Sequence, residues 1–240
     1  MQIYFIRHAQ STNNLLWNET GSSAGRSDDP ILTDLGQQQA RLLANYLAQN
    51  RADGHSISYD PKNGYGYHFT HIYSSLMWRA LATGATIAEA LDAPLLGLKD
   101  IHETGGIFLE DPDTGELTGL AGKTPSELIR AFPRLVLPEG LNDDGWWNGP
   151  FESREARLPR AMRVLDWIKE KHGAREDKIA LVSHGGFFNY LLWAVLGVIE
   201  RPTAWFEINN ASISRIDYRR GEFAVIYINQ LDHLTPDLVS

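Results

Sequence analysis

The sequence predicts an α/β domain with a mostly parallel sheet. Short apolar runs alternate along the chain with segments of helical periodicity, the pattern of βαβ units. The run Ile179-Ala180-Leu181-Val182 is apolar at every position, as a strand covered by helices on both faces must be. The composition, 43% hydrophobic and 22% charged over 240 residues, is that of a soluble globular chain long enough to bury a sizeable core. Residues 1–240 are read as a single domain, with 104–152 as a lid or insertion within it.

The elements follow in order. Gln2 to Ile6 is a strand, rich in Ile, Tyr and Phe. Arg7 to Pro30 is polar, with Gly21, Gly25 and Asp28-Asp29-Pro30 marking loop. A helix starts after the N-cap candidate Thr33; Leu35, Leu42, Leu43, Tyr46 and Leu47 form its apolar face, and Gly54 lies beyond its end. A loop spans 53–67. Phe69 to Tyr73 is the second strand and ends at Ser74-Ser75. A helix runs from Leu76 to Leu91, and Leu95 to Leu98 is a short strand.

Residues 104–152 are rich in Gly, Pro and Asp and contain the pair Trp146-Trp147. Within them Thr124-Pro125-Ser126-Glu127 is a capping box with proline at the first helical position, and Pro133 stops the helix it opens. A helix from Pro159 to Lys171, closed by Gly173, leads to the buried strand 179–182 and a largely apolar helix from Phe187. Ser212 to Tyr218 and Glu222 to Ile228 read as two strands around a turn at Arg220-Gly221.

Composition narrows the function. Thirty acidic against 22 basic residues leave a net charge of −8, which argues against nucleic acid and anionic membranes as partners. An anionic ligand would need a local cationic cluster. With no cysteine, disulfides, thiolate nucleophiles and Cys-zinc sites are excluded. The N-terminus, MQIYFIRH, has no signal-peptide pattern, and the apolar run 187–199 is too short to span a bilayer. A cytoplasmic protein is expected.

The chemistry sits after three strands. Arg7, His8, Ser11, Thr12 and Asn14 follow the first; Ser74, Ser75 and Arg79 the second; Ser183, His184, Gly185 and Gly186 the third. Ligands of open α/β sheets bind at the carboxyl ends of the strands, and helix N-termini there favour anions. Two guanidinium groups match phosphate oxygens better than lysines would. Each fragment alone is weak; their convergence on one sheet edge points to phosphate.

The segment Phe5-Ile6-Arg7-His8-Ala9-Gln10-Ser11-Thr12-Asn13-Asn14 resembles the R-H-G-x-x-x-x-N motif of the histidine phosphatase superfamily, the phosphoglycerate mutase-like fold. Leu32-Thr33-Asp34-Leu35-Gly36 through Gln39-Ala40, Tyr73-Ser74-Ser75 through Arg79-Ala80 and Thr83, and Val182-Ser183-His184-Gly185-Gly186 resemble three further blocks of that family in order. The resemblance spans residues 3–186. It implies a three-layer α/β/α sandwich and a set of roles: His8 as phosphoryl acceptor, with Arg7, Asn14, Arg79 and His184 holding the phosphoryl oxygens. It also implies a carboxylic acid that protonates the leaving alkoxide, which is Glu103 here, or Asp100 under a different gap placement. No metal or cofactor is implied, since guanidinium groups supply the positive charge.

Two departures matter. Ala9 replaces the usual glycine, which is tolerated where φ is negative. The 104–152 segment carries Lys123, Arg130 and Arg134 with no adjacent arginine pair, unlike the mutases of the family. The expectation is therefore a metal-independent phosphatase acting on a small phosphorylated substrate. A mutase-type phosphotransferase and a non-catalytic phosphate-binding domain are the alternatives.

Other readings fail or stay secondary. Gly119 to Thr124 lacks the first glycine of a Walker loop, and Leu181-Val182-Ser183-His184-Gly185 lacks the first glycine of a serine hydrolase elbow. Asp100, His102 and Glu103 could begin a metal site. His68, His71 and His102 read as surface or core histidines, and the tryptophan pair as packing anchors rather than lid.

Overall fold

The computed structural model describes residues 1–49, 66–200 and 202–240. The strands are β1 (Gln2–Arg7), β2 (His71–Ser74), β3 (Leu95–Gly97), β4 (Phe108–Glu110), β5 (Leu117–Gly119), β6 (Leu135–Val136), β7 (Lys178–Ser183), β8 (Ile213–Arg219) and β9 (Glu222–Gln230). The helices are α1 (Thr12–Thr20), α2 (Asp34–Gln49), α3 (Trp78–Ala90), α4 (Pro125–Ala131), α5 (Arg154–His172) and α6 (Gly185–Val195). Seven strands form one sheet in the order β6-β3-β2-β7-β1-β8-β9. The first five are parallel; β8 and β9 are antiparallel additions. This is the expected α/β fold.

Alternation along β1 makes the layers. Tyr4 and Ile6 face one side and pack with Leu43 and Leu47 of α2 and Ala80, Leu81 and Ile87 of α3. Ile3 and Phe5 face the other side, with Val164 and Ile168 of α5 and Phe188 and Leu192 of α6. Every residue of β7 is buried, as its unbroken apolar run requires. Each large aliphatic side chain so buried contributes about 1.5–3 kcal/mol, and the side-chain period of two fixes which helix pair it meets. At the hairpin between β8 and β9, Arg220 and Gly221 both have positive φ, 54° and 87°, the type I′ geometry that suits the strands' twist.

Several boundaries differ from the sequence expectation. The polar 7–30 stretch is not all loop. It carries α1, a helix with no buried residue, held by its ends: Ser11 Oγ accepts from Asn14 N while Asn14 Oδ1 accepts from Ser11 N, and Gly21 closes it in the left-handed conformation. A helix that buries nothing leaves no periodic signature. Helix α5 starts at Arg154, so Pro159 is its sixth residue rather than its first; near the start of a helix the missing N–H removes a single bond. Helix α6 starts at Gly185 rather than Phe187. The loop expected over 53–67 lies, up to residue 65, outside the described residues, as does Gly54.

The 104–152 segment divides. Its capping-box helix forms as expected, with Thr124 and Glu127 bonded reciprocally. Leu135–Val136 then joins the main sheet beside β3, and only β4 and β5 stand apart, as a two-stranded antiparallel ribbon. Trp146 is fully buried in the core and Trp147 rests edge-on against His102, ring centroids 4.5 Å apart. Both are packing anchors. Among the described residues no helix is long and apolar enough to cross a membrane.

Candidate active site

The sheet order places β2, β7 and β1 side by side, so their carboxyl ends deliver Ser75, His184 and His8 to one edge. His8 is 2% exposed. Its Nδ1 lies 2.7 Å from the Ala9 carbonyl oxygen, and its Nε2 lies 3.1 Å from Arg79 Nε, which donates to it. The carbonyl can only accept and the guanidinium can only donate. The ring is therefore the Nδ1–H tautomer, with the Nε2 lone pair directed at Arg79. Burial first, then the charges of Arg79 and Arg7, hold the His8 pKa well below the ordinary imidazole value. Neutral imidazole is the form present at pH 7.

His184 stands beside it, the ring centroids 5.0 Å apart. Its Nε2 is hydrogen-bonded to Ser75 Oγ at 2.9 Å, while its buried Nδ1 has no protein partner. Burial, Arg79 and His8 push its pKa down as well. Arg7 donates from Nη1 to the Ile208 carbonyl, and its buried Nε has no protein partner. Burial lowers the Arg7 pKa to about 10, which leaves it cationic at neutral pH. Asn14 spends its side-chain oxygen on Ser11 and Asn210, so its amide nitrogen is what it can offer a ligand.

Glu103 is held from three sides. Oε1 accepts from Thr104 N at 2.7 Å and Phe187 N at 3.0 Å; Oε2 accepts from Gly186 N at 3.1 Å. The carboxyl thus sits on the first turn of α6. A Cβ on Gly186 would lie 2.2 Å from Glu103 Oε1, so the second glycine of Ser-His-Gly-Gly is needed for this contact. The segment that carries Glu103 is clamped in turn. Ser183 Oγ donates to the Ile101 carbonyl at 2.6 Å, and Arg160 Nη1 donates to the Asp100 and His102 carbonyls. Arg160 is itself paired with Glu152 through two bonds of 2.6 and 2.8 Å. Breaking so buried a pair leaves an uncompensated charge and costs about 3–5 kcal/mol.

The other motif residues support the nucleophile loop. Thr83 Oγ1 accepts from Ala9 N at 3.0 Å, and Gln39 Oε1 from Gln10 N at 2.8 Å. A Cβ on Gly36 would meet the Gln10 carbonyl oxygen at 2.0 Å, so α2 approaches this loop as closely as glycine permits. Ala9 is not among the residues of positive φ, and its methyl costs nothing.

Arg7, His8, Asn14, Arg79 and Glu103 line one cavity of about 210 Å³. Asp100 is exposed and does not line it. His102 is buried, with Nδ1 against the Glu103 carbonyl. Asp100, His102 and Glu103 thus do not converge as a metal site. Among the described residues His71, His172 and Asp177 are the one group close enough to hold an ion. They cluster around the start of β2, away from this edge, and His172 is bonded there to Asp177 and Tyr73.

Sequence reasoning missed four parts of the site. Arg26 lines the cavity, its guanidinium 4.0 Å above the Phe108 ring and its Nε without a protein partner. Asn210 Nδ2 donates to the His8 carbonyl at 2.9 Å. Trp17 lines the cavity from α1. Asp29 Oδ1 accepts from Trp78 N, the first residue of α3, at 2.9 Å, a cap supplied from a distant loop. None of these has a spacing that marks it; each arrives from a loop or from a helix without apolar period.

Asp29 carries a prediction. Burial raises its pKa to about 6, against the opposing charge of Arg79. The folded state therefore holds this proton more tightly than the unfolded chain. The associated stability is fully present below the unfolded value near 4 and is lost as pH rises through about 6. Asp29→Asn keeps the acceptor for Trp78 N–H without the charge. It should be more stable than wild type at pH 7.5, by on the order of 1–3 kcal/mol, with the difference shrinking toward pH 4. Urea unfolding at both pH values checks this; equal destabilisation at both would refute it.

Comparison with known proteins identifies the family. A sequence model of the histidine phosphatase superfamily (branch 1) matches residues 3–59 and 65–231. The chain belongs to that superfamily, and is an enzyme of the phosphatase or mutase type. A probable phosphoglycerate mutase GpmB from Yersinia pestis (strain Pestoides F) is 27% identical over 219 residues, 91% of this chain and 86% of that protein. The crystal structure of phosphoserine phosphatase from Entamoeba histolytica with 3-phosphoglyceric acid superposes with a TM-score of 0.59 at 24% identity, covering 98% of this chain and 99% of that one. The ecdysone phosphate phosphatase from Bombix mori, with tungstate, gives 0.61 at 14%, covering 98% and 95%. At these identities the two structures show a shared fold.

Proposed function

We propose that the protein hydrolyses a small phosphomonoester in two steps, through a phosphohistidine on His8 and without a metal ion. The observation that carries this reading is the state of His8: a neutral ring whose Nε2 lone pair is turned toward Arg79 in a cavity that also holds Arg7, Asn14 and Glu103.

In the first step Nε2 attacks phosphorus, the N–P bond forms and the ester P–O bond breaks. The positive charge that develops on the ring is spread toward the Ala9 carbonyl through Nδ1–H. Arg7, Arg79, Asn14 and His184 would hold the phosphoryl oxygens, the main demand of a loose phosphoryl transition state. Glu103 would donate a proton to the leaving alkoxide. In the second step the carboxylate takes a proton from water, which attacks phosphorus and releases phosphate.

Hydrolysis is favoured over transfer to a second substrate hydroxyl. Lys123 and Arg130 are exposed, Arg134 pairs with Asp92, and none of the three lines the cavity. The mutase reading has its own support, in the relative of that name. Residues 104–152 act in this proposal partly as scaffold and partly as cover, the cover being the β4–β5 ribbon, whose Phe108 lies under Arg26 and whose Glu110 meets Ser23. A cytoplasmic setting is part of the proposal; a cysteine-free chain has no need of an oxidising compartment.

The test is an assay of phosphate release from a simple alkyl phosphate in excess chelator, beside an assay of 2- and 3-phosphoglycerate interconversion. Steady phosphate release with no interconversion is expected. Rapid interconversion would favour the mutase, and loss of turnover in chelator would overturn metal independence.

A further inference from the structure

A second cavity, of about 400 Å³, opens from the same floor: it shares Arg7, Asn14, Trp17 and Glu103 with the first. Trp17 borders both cavities, and Trp205 and Phe206 border this one and not the first. These side chains are 58%, 45% and 36% exposed. Trp17 belongs to α1, which buries no residue in the core, so core packing does not account for an indole there. Exposed aromatic groups gathered at the rim of a cleft mark a place where apolar ligand surface is covered.

The wall made by Trp205 and Phe206 is held in place before any ligand arrives. Asn189 fixes the Phe206 backbone from both sides, accepting from its N–H at 2.7 Å and donating to its carbonyl at 2.9 Å. Trp205 lies edge-on to Trp193, centroids 5.6 Å apart. A wall already ordered loses little entropy on binding. Charge points the same way: beyond the shared floor, the charged side chain lining this arm is Glu207, which disfavours a carboxylate. The further cation of the site, Arg26, lines the other arm.

Resting on the phosphatase reading above, we propose that the arm between Trp17 and Trp205–Phe206 receives the alcohol portion of the substrate, and that the preferred substrates are phosphomonoesters whose alcohol carries an aromatic or bulky apolar group. The phosphoryl group occupies the floor at Arg7 and Asn14, and the organic part lies between the indoles. Compact esters such as phosphoglycerate leave the aromatic groups of this arm uncovered and carry a second anion, which Glu207 disfavours there.

The test compares 3-phenylpropyl phosphate with propyl phosphate. Both release a primary alkoxide, so the chemical step is matched and the difference reports the arm. The phenyl ester should be favoured by on the order of 10- to 100-fold in kcat/KM, mainly through KM, and 3-phosphoglycerate should be the poorest of the three. Trp17→Ala, at an exposed position where folding is not at stake, should reduce the phenyl-to-propyl ratio several-fold, and Trp17→Phe should restore most of it. A ratio near one in the wild type, or a ratio unchanged by Trp17→Ala, would overturn the proposal while leaving the phosphatase intact. No turnover of any ester would defeat both.

Discussion

Replacing His8 with alanine should lower turnover of any phosphomonoester by about 10⁴-fold or more, the scale set by loss of a covalent nucleophile. No neighbouring group can stand in. The Ser11 hydroxyl is committed to Asn14 at the start of α1, and that of Ser75 to His184 and Met77. His184 has its Nε2 bonded to Ser75, and in the proposed mechanism its unpartnered Nδ1 serves a phosphoryl oxygen rather than attack. The loss should appear in kcat for good and poor leaving groups alike, because the N–P bond is required for both. An unfolding midpoint recorded alongside separates loss of the nucleophile from loss of the fold.

Glu103→Gln is expected to have the next largest effect, and its pattern is more informative than its size. Gln retains an acceptor for part of the amide cradle formed by Thr104, Gly186 and Phe187 but can neither deliver nor remove a proton. With an alkyl phosphate the poor leaving group needs that proton, and turnover should fall by roughly 10²–10⁴-fold. With 4-nitrophenyl phosphate the leaving group needs no acid, so the first step should stay fast. The second still needs a base for water. A burst of nitrophenol, equal to the enzyme concentration, should precede a slow steady state. Equal losses on both substrates with no burst would remove Glu103 from the proton-transfer role. Asp100, exposed and outside the cavity, should give little change as Asn.

The order of layers and the site floor were legible in the sequence because they rest on local rules. The strands β1 and β7 are short apolar runs in the middle of a parallel sheet, and the groups that matter follow directly at their carboxyl ends. Arg7, His8, Arg79, His184 and Asn14 meet at one edge because β2, β7 and β1 are neighbours, whereas Glu103 follows β3 and was legible only through the family resemblance. The less readable parts have physical reasons. Helix α1 is made by its caps and buries nothing, so it has no hydrophobic period. The start of α6 hides behind Gly185-Gly186, a pair that reads as loop; Gly186 is needed there because Glu103 occupies the place its Cβ would take. The strand β6 is two residues long and exists only through pairing with β3. Arg26, Asp29, Asn210, Trp17 and Trp205 reach the site from segments separated along the chain, and no spacing rule connects them.

The charge of −8 has its counterpart in this arrangement. Arg7 and Arg79, beside two histidines whose lowered pKa values keep them neutral, make one buried cationic pocket in an acidic protein. Long-range steering contributes little to anion binding in such a molecule; the local cluster must do the work.

The central claim is that phosphate passes through Nε2 of His8. Its most direct measurement is rapid mixing of Glu103→Gln with a radiolabelled nitrophenyl phosphate, quenching into alkaline denaturant, where a phosphoramidate survives, and mapping the label by peptide. The account predicts near-stoichiometric label on the peptide carrying His8, and none when His8→Ala is combined with Glu103→Gln. Label on another residue, or a burst of alcohol with no protein-bound phosphate, would contradict it.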